Sequence, residues 1–252
     1  MTPMPSFSLS GRTALITGAG RGIGKAIADV YAQAGAEVVL CARSMDEIAA
    51  VEAELTGAGL KARAISCDVT DVAAFRALVD GLDQLDIFVN NAGTNKPQPQ
   101  MEVTEEDFDR ITGLNLRAAF FALQAVTRRM KELGRGGSII NMSSQMGHIG
   151  AENRSVYCAT KWGIEGLTKA TAIEVAPLGI RINTICPTFI ETPLTKPYFE
   201  DPAFGEHCKR MIKIGRLGQV DDIVGAALYL SSDASSLMTG SSILLDGGWT
   251  AE

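Results

Sequence analysis

Residues 13–24, "TALITGAGRGIG", set a short apolar run directly before a loop with glycines at 18, 20, 22 and 24. Residues that are apolar on consecutive positions read as a strand buried on both faces. The loop then opens a helical pattern over 22–34. Glycines at such a junction let the chain turn tightly and bring backbone N–H groups against a pyrophosphate at the helix N-terminus. The spacing is not G-x-G-x-x-G, because position 23 is Ile. Instead, Gly18, Gly22 and Gly24 form G-x-x-x-G-x-G, with Arg21 and Ile23 between them. A P-loop is excluded, since Lys25 is followed by Ala26. Its place after a strand and before a helix favours a dinucleotide site over a plain turn.

The same alternation continues outward. Strands are predicted at "EVVLCA" (37–42), "KARAIS" (61–66), "LDIFVN" (85–90), "GSIINM" (137–142), "RINTIC" (181–186) and "SILLD" (242–246). Between them lie helical patterns over 45–57, 71–82, 105–133, 155–176 and 221–230. Thr104 caps a helix opened by three acidic residues, which favour the positive end of its dipole, and Pro177 with Gly179 mark a helix stop. The pattern predicts an α/β fold: a doubly wound seven-stranded parallel sheet, Rossmann-like, with helices on both faces. No linker or repeat divides it, so residues 1–252 are expected to form a single domain. The least regular stretch, about 188–217, is expected to be lid-like.

Composition narrows the function. The 252 residues carry a formal charge of −6, which argues against a nucleic-acid or anionic-membrane surface. No apolar run approaches the roughly 18 residues that a membrane span needs. "MTPMPSFSLSGRT" has neither a basic start nor an apolar core, so a cytoplasmic protein is expected. The five cysteines, at 41, 67, 158, 186 and 208, form no C-x-x-C and read as inert core thiols. With only two histidines, no metal centre is expected.

The end of the second strand bears on cofactor choice. An acidic side chain there would bond the ribose hydroxyl of NAD; the chain has Ala42, Arg43 and Ser44 instead. The Arg43 guanidinium suits a 2′-phosphate, and Arg21 adds a second positive charge. NADP(H) is favoured, with NAD(H) the alternative.

Tyr157 and Lys161, in "RSVYCATKWGIEGLTKA" (154–170), lie one helical turn apart on one face. A free phenol has a pKa near 10, and lowering it by about three units needs roughly 4 kcal/mol, much of which a neighbouring ammonium in a dry cleft supplies. Ser144 closes the fifth strand 13 residues before the tyrosine. A hydrolase built on Ser144 and His148 is disfavoured, because "NMSSQMG" lacks the G-x-S-x-G elbow.

Taken in order and at their spacing, these motifs resemble the short-chain dehydrogenase/reductase family over nearly the whole chain. "TGAGRGIG" resembles its cofactor loop, and "CDV" its adenine contact through Asp68 and Val69. "NNAG", with Asn91, Ala92 and Gly93, resembles the signature closing the fourth strand. "CPTFIET" resembles the segment contributing Pro187, Ile190 and Thr192, although Thr188 stands where glycine is common. The resemblance implies interconversion of a secondary alcohol and a ketone by hydride transfer, with Tyr157 as acid/base. It also implies that Ser144 holds the substrate oxygen, Lys161 the nicotinamide ribose and Asn115 a relay water.

The polar loops "TNKPQPQ" (94–100) and "QMGHIGAENR" (145–154) suggest a small hydroxylated or anionic substrate such as a sugar acid. Gln145 is a candidate contact, and Lys96, His148 or Arg154 is expected to meet a carboxylate. Gluconate-type dehydrogenases are the favoured branch, and 3-oxoacyl carrier-protein reductases are the alternative. A catalytically silent dinucleotide sensor or scaffold should have damaged Ser, Tyr or Lys positions, which are intact here. By resemblance, a homotetramer is expected, packed through the long helices and "SSILLDGGW" (241–249).

Overall fold

The computed structural model describes residues 4–251. The apolar runs form β1 (Thr13–Thr17), β2 (Glu37–Ala42), β3 (Ala62–Ser66), β4 (Ile87–Asn90), β5 (Gly137–Met142), β6 (Ile180–Pro187) and β7 (Ser242–Leu245). All pair in parallel, in the order β3-β2-β1-β4-β5-β6-β7. Alternate residues feed opposite faces, as the pleat requires. Ile16, Leu40, Val89 and Ile140 pack on one side, and Leu15, Val39, Phe88 and Ile139 on the other. Both sides are fully buried, which explains why these strands show no polar alternation.

The helices are α1 (Gly22–Gln33), α2 (Met45–Gly57), α3 (Val72–Asp80), α4 (Glu105–Thr112), α5 (Ala119–Leu133), α6 (Ser155–Val175), α7 (Pro202–Met211) and α8 (Asp221–Ser231). On one face α1 lies against α8, joined by Tyr31, whose buried Oη bonds the Ala227 carbonyl at 2.9 Å and Ser231 Oγ at 2.6 Å. On the other face α3 packs on α5. Strand order reverses between β1 and β4, which opens a crevice above their C-terminal ends.

Two elements differ from expectation. The helix read as continuous over 105–133 is divided by a π-helical turn at Gly113–Ala118, which aims Asn115 inward. Hydrophobic periodicity is blind to a single wide turn. The stretch 188–217 contains the whole of α7, with Asp201 as N-cap, its side chain accepting from Ala203 N at 2.9 Å, and Pro202 in the first turn. Cys208, Ile212 and Leu217 there are buried against Phe189, Phe199, Phe204 and Trp249, giving this segment an apolar cluster of its own.

The glycine loop has no room to spare. A Cβ on Gly24 would lie 2.2 Å from the Gly18 carbonyl oxygen and 2.7 Å from Asn91 Nδ2. Gly24→Ala is therefore expected to lower stability by about 1–3 kcal/mol in urea unfolding. An unchanged midpoint would show that the loop is looser than described.

Candidate active site

The candidate phosphate-binding end begins with backbone geometry. Gly18 and Gly22 have φ of 66° and 57°, the left-handed region that glycine adopts without strain. No side chain caps α1 and no acid occupies its first turn, so its N-terminal N–H groups have no side-chain acceptor of their own, although the Glu47 carboxylate lies against Gly20. The end of β4 locks the loop: Asn91 Nδ2 donates to the Thr17 and Gly18 carbonyls at 2.9 and 3.3 Å. Thr17 Oγ1 accepts from the N–H groups of Asn91 and Ala92 at 2.9 and 3.1 Å, just ahead of Gly93. A Cβ on Gly22 would fall 3.5 Å from Thr192, so the segment after β6 closes the opposite wall.

At the adenosine end, Arg43 is exposed beyond β2, its carbonyl accepting from Ser66 Oγ at 3.0 Å. Arg21 pairs with Glu47 at 3.2 Å across an exposed gap, a weak tie that leaves the guanidinium available. Asp68 Oδ1 accepts from Thr70 N and Oγ1 at 2.9 and 2.7 Å, and the partly buried Val69 packs against the sheet. A cradle without side chains, an uncapped helix start and flanking guanidinium groups together fit a phosphorylated dinucleotide.

Ser144 and α6 supply the candidate reactive groups. The Ser144 hydroxyl accepts from Met146 N at 3.1 Å, which fixes the turn after β5, and lies 3.5 Å from the Pro187 carbonyl. Lys161 is buried and donates to the Met142 carbonyl at 2.7 Å, with Nζ 5.5 Å from the centre of the Tyr157 ring. Burial pulls Lys161 down to about 8 and pushes Tyr157 up to about 12, with a hydrogen bond from Ser144 pulling the phenol the other way. The expected depression of Tyr157 is thus not a property of the protein alone, because desolvation outweighs the Ser144 hydrogen bond and the Arg154 charge that favour the phenolate. Asn115 is fully engaged: Oδ1 accepts from Thr94 N, and Nδ2 donates to the Thr94 carbonyl, both at 2.8 Å. Its Nδ2 also lies 3.4 Å from Thr160 Oγ1, tying the loop after β4 to α6.

Ser144, Tyr157, Lys161, Ile23, Asn91, Gly93, Pro187, Ile190, Thr192 and Gln145 all line one cleft. Gln145 is buried, yet neither atom of its amide meets a protein partner; Asn95 Oδ1 and Thr188 Oγ1 are likewise unpaired. Thr188 has no positive φ, so the threonine fits where glycine was the expected residue. The charged candidates divide. Lys96 lies outside the cleft lining, paired with Asp107, which also holds Arg110 at 2.9 Å. His148 turns to Cys186 and Glu165. Arg154 is buried against the Tyr198 ring at 5.3 Å, with Nε unpaired, behind a cleft wall that Leu194, Thr195 and Tyr198 help to form. Sequence reasoning missed Tyr198 and did not single out Thr17, whose signal was its place at the strand–loop junction; Asn95 lay in a loop already read as polar, and Thr188 was noted only as standing where glycine is common.

This arrangement fits a dinucleotide-dependent oxidoreductase site, and comparison with known proteins gives its family. The family model described as "Enoyl-(Acyl carrier protein) reductase" matches residues 18–250. The chain is 38% identical to D-threitol dehydrogenase of Mycolicibacterium smegmatis, over 97% of this chain and 95% of that protein. It is also 38% identical to L-xylulose reductase of Bos taurus, over 96% and 98%. A solved gluconate 5-dehydrogenase from Burkholderia cenocepacia, in complex with NADP and tartrate, superposes with a TM-score of 0.94 at 36% identity, covering 98% of each chain. The protein belongs to the short-chain dehydrogenase/reductase family and is an enzyme of oxidoreductase class.

Two outcomes test this geometry. At pH 10, the ordinary phenol value, Tyr157 in the nucleotide-free protein is expected to contribute only about 1% phenolate, given its shift to about 12. The ultraviolet difference between the native protein and Tyr157→Phe measures this, and a half-ionised Tyr157 would contradict it. Lys96→Ala is expected to leave KM for any substrate within about twofold. The Asp107 carboxyl is held well below the usual range by hydrogen bonds from Lys96 and Arg110. Its stabilisation is therefore present above the unfolded value near 4 and lost as pH falls through the folded one. Urea unfolding should then show Lys96→Ala weakened at pH 7, with the deficit shrinking under strongly acidic conditions.

Proposed function

We propose that the protein is an NADP(H)-dependent dehydrogenase/reductase that interconverts a secondary alcohol and a ketone in a small polar polyol, ketose or sugar acid. The observation that carries this reading is the meeting of Ser144, Tyr157 and Lys161 in one cleft beside the glycine loop. When bound, an oxidised nicotinamide supplies the hydride acceptor and a positive charge beside the phenol. Ser144 donates a hydrogen bond to the substrate oxygen and stabilises developing alkoxide charge. Tyr157 takes the hydroxyl proton during oxidation and returns it during reduction. Lys161 holds the ribose and favours the phenolate, while Asn115 fixes the Thr94 loop against α6.

The unpaired polar atoms of Gln145, Asn95 and Thr188 support a hydroxylated substrate, because a buried amide without a partner costs about 1–3 kcal/mol until a ligand satisfies it. Of the three cations expected to meet a carboxylate, Arg154 alone remains beside the cleft wall, so a sugar acid would reach it past Tyr198. NADP(H) is favoured by the absence of an acid after β2, by the exposed Arg43, and by the NADP bound in solved relatives. We read residues 188–217 as a lid, since Leu194, Thr195 and Tyr198 wall the cleft from this segment. We also expect a homotetramer, on the exposed apolar side chains of Phe120, Trp162 and Ile173 along α5 and α6. A cytoplasmic setting agrees with five free, buried thiols.

The test is a panel of polyols, ketoses, sugar acids and β-keto thioesters assayed in parallel with both nicotinamide cofactors. NADP(H) should be preferred, and Arg43→Ala should lose about tenfold in kcat/KM with NADPH, or roughly 1.4 kcal/mol, with little change for NADH. A tenfold preference for NAD(H), or turnover of β-keto thioesters alone, would overturn the reading.

A further inference from the structure

Behind the reactive groups, on the side away from the cleft, three side chains from three elements converge. His148 ends the turn that Ser144 begins, Glu165 lies one helical turn beyond Lys161 on α6, and Cys186 is the penultimate residue of β6. Their donor atoms all lie within 4.8 Å of one another. His148 Nε2 is 3.4 Å from Cys186 Sγ and 3.7 Å from Glu165 Oε2, and Cys186 Sγ is 3.3 Å from Glu165 Oε1.

We propose that His148, Glu165 and Cys186 form a binding site for a thiophilic divalent cation of the zinc type. Tetrahedral zinc, with bonds of about 2.0–2.3 Å to nitrogen, oxygen and sulfur, has ligand-to-ligand edges of roughly 3.4–3.6 Å. Two of these separations, Nε2 to Sγ and Sγ to Oε1, match those edges to within a few tenths of an ångström, and all three donor groups lie within 4.8 Å of one another, with the imidazole 3.7 Å from the other carboxylate oxygen, Oε2. One thiol, one imidazole and one carboxylate form a borderline-soft set that suits zinc and not magnesium or calcium, which take oxygen ligands.

The outer shell is also built. Thr184 Oγ1 and Ser242 Oγ donate to Glu165 Oε2 at 3.1 and 2.6 Å, which orients the carboxylate. Its Oε1 accepts only from the Cys186 thiol among the hydrogen bonds the structure shows. Binding breaks the S–H bond, the proton passes to water, and the cation takes the proton's place between Sγ and Oε1 while the imidazole nitrogen adds the third bond. A water fills the fourth position on the side where His148 is partly exposed. Affinity therefore rises with pH as the thiol proton is more easily lost.

The position gives the site a consequence. Glu165 is the carboxylate whose charge supports the Lys161 ammonium, and His148 belongs to the turn that Ser144 starts. A bound cation withdraws that support and clamps the turn to α6, so occupancy inhibits turnover reversibly. This last step rests on the proposed reaction; binding itself does not.

The experiment uses the whole chain, stripped by a chelator under reducing conditions and titrated with Zn²⁺ against a chromophoric competitor, and in parallel with Co²⁺. One ion per chain is expected, with micromolar or tighter affinity, no competition from Mg²⁺, and a thiolate-to-cobalt charge-transfer band. Cys186→Ala should abolish the band and weaken zinc at least about tenfold. His148→Gln, at the partly exposed ligand, should weaken zinc while keeping the band. The Cys186→Ala enzyme should keep its metal-free turnover and lose inhibition by zinc. Absence of binding, a cobalt complex without thiolate character, or equal zinc affinity in Cys186→Ala would overturn the site. Binding as expected in a chain that turns over no substrate would instead count against the proposed reaction.

Discussion

The site hangs on one buried ammonium. Lys161 reaches from α6 to the last residue of β5, and its 2.7 Å bond to the Met142 carbonyl joins the reactive helix to the strand that ends two residues before Ser144. Tyr157 rides on the same helix one turn earlier. If the ammonium were displaced, the phenol and the serine hydroxyl would lose their common frame. Burial works against the charge, which is why Lys161 sits at about 8 instead of above 10. The surroundings answer with a carbonyl in front and Glu165 behind. Gly163 lets α6 approach the π-helical turn, since a Cβ there would lie 3.1 Å from Leu116.

The same frame explains the division of labour along the cleft. One end is backbone: left-handed glycines, an uncapped helix start and the Asn91 amide. The other end is side chain, with unpaired polar atoms from three loops. Burying such atoms without partners is unfavourable unless a ligand completes them. Between the ends, Tyr157 is held neutral by desolvation until positive charge arrives beside it. Under the proposed reaction, that arrangement keeps the base silent in the nucleotide-free protein and makes acid/base work depend on prior cofactor binding.

Much of this was legible in the sequence, because the signals were local or strictly spaced. Strands buried on both faces read as unbroken apolar runs, and all seven were placed with ends shifted by at most two residues. Residues whose spacing fixes them on one element, such as Tyr157 with Lys161, lie together as the spacing required. What escaped depended on contacts distant in sequence. The π-helical turn leaves the hydrophobic period intact, so nothing announced it. Lys96 looked available until Asp107, eleven residues on, came within reach of it. His148 looked free to meet a carboxylate, and its partners come from α6 and β6. Helix α7 did carry a signal, the Asp201-Pro202 start, hidden within a stretch rich in proline and aromatic residues.

The central claim is that Tyr157 moves the proton while the rest of the cleft holds cofactor and substrate. It is tested most directly by single-turnover hydride transfer in Tyr157→Phe, with NADPH affinity measured on the same protein. Removing only the phenolic oxygen should slow transfer by about 10²–10⁴-fold and leave NADPH affinity nearly unchanged. Transfer within tenfold of the native rate would contradict the account.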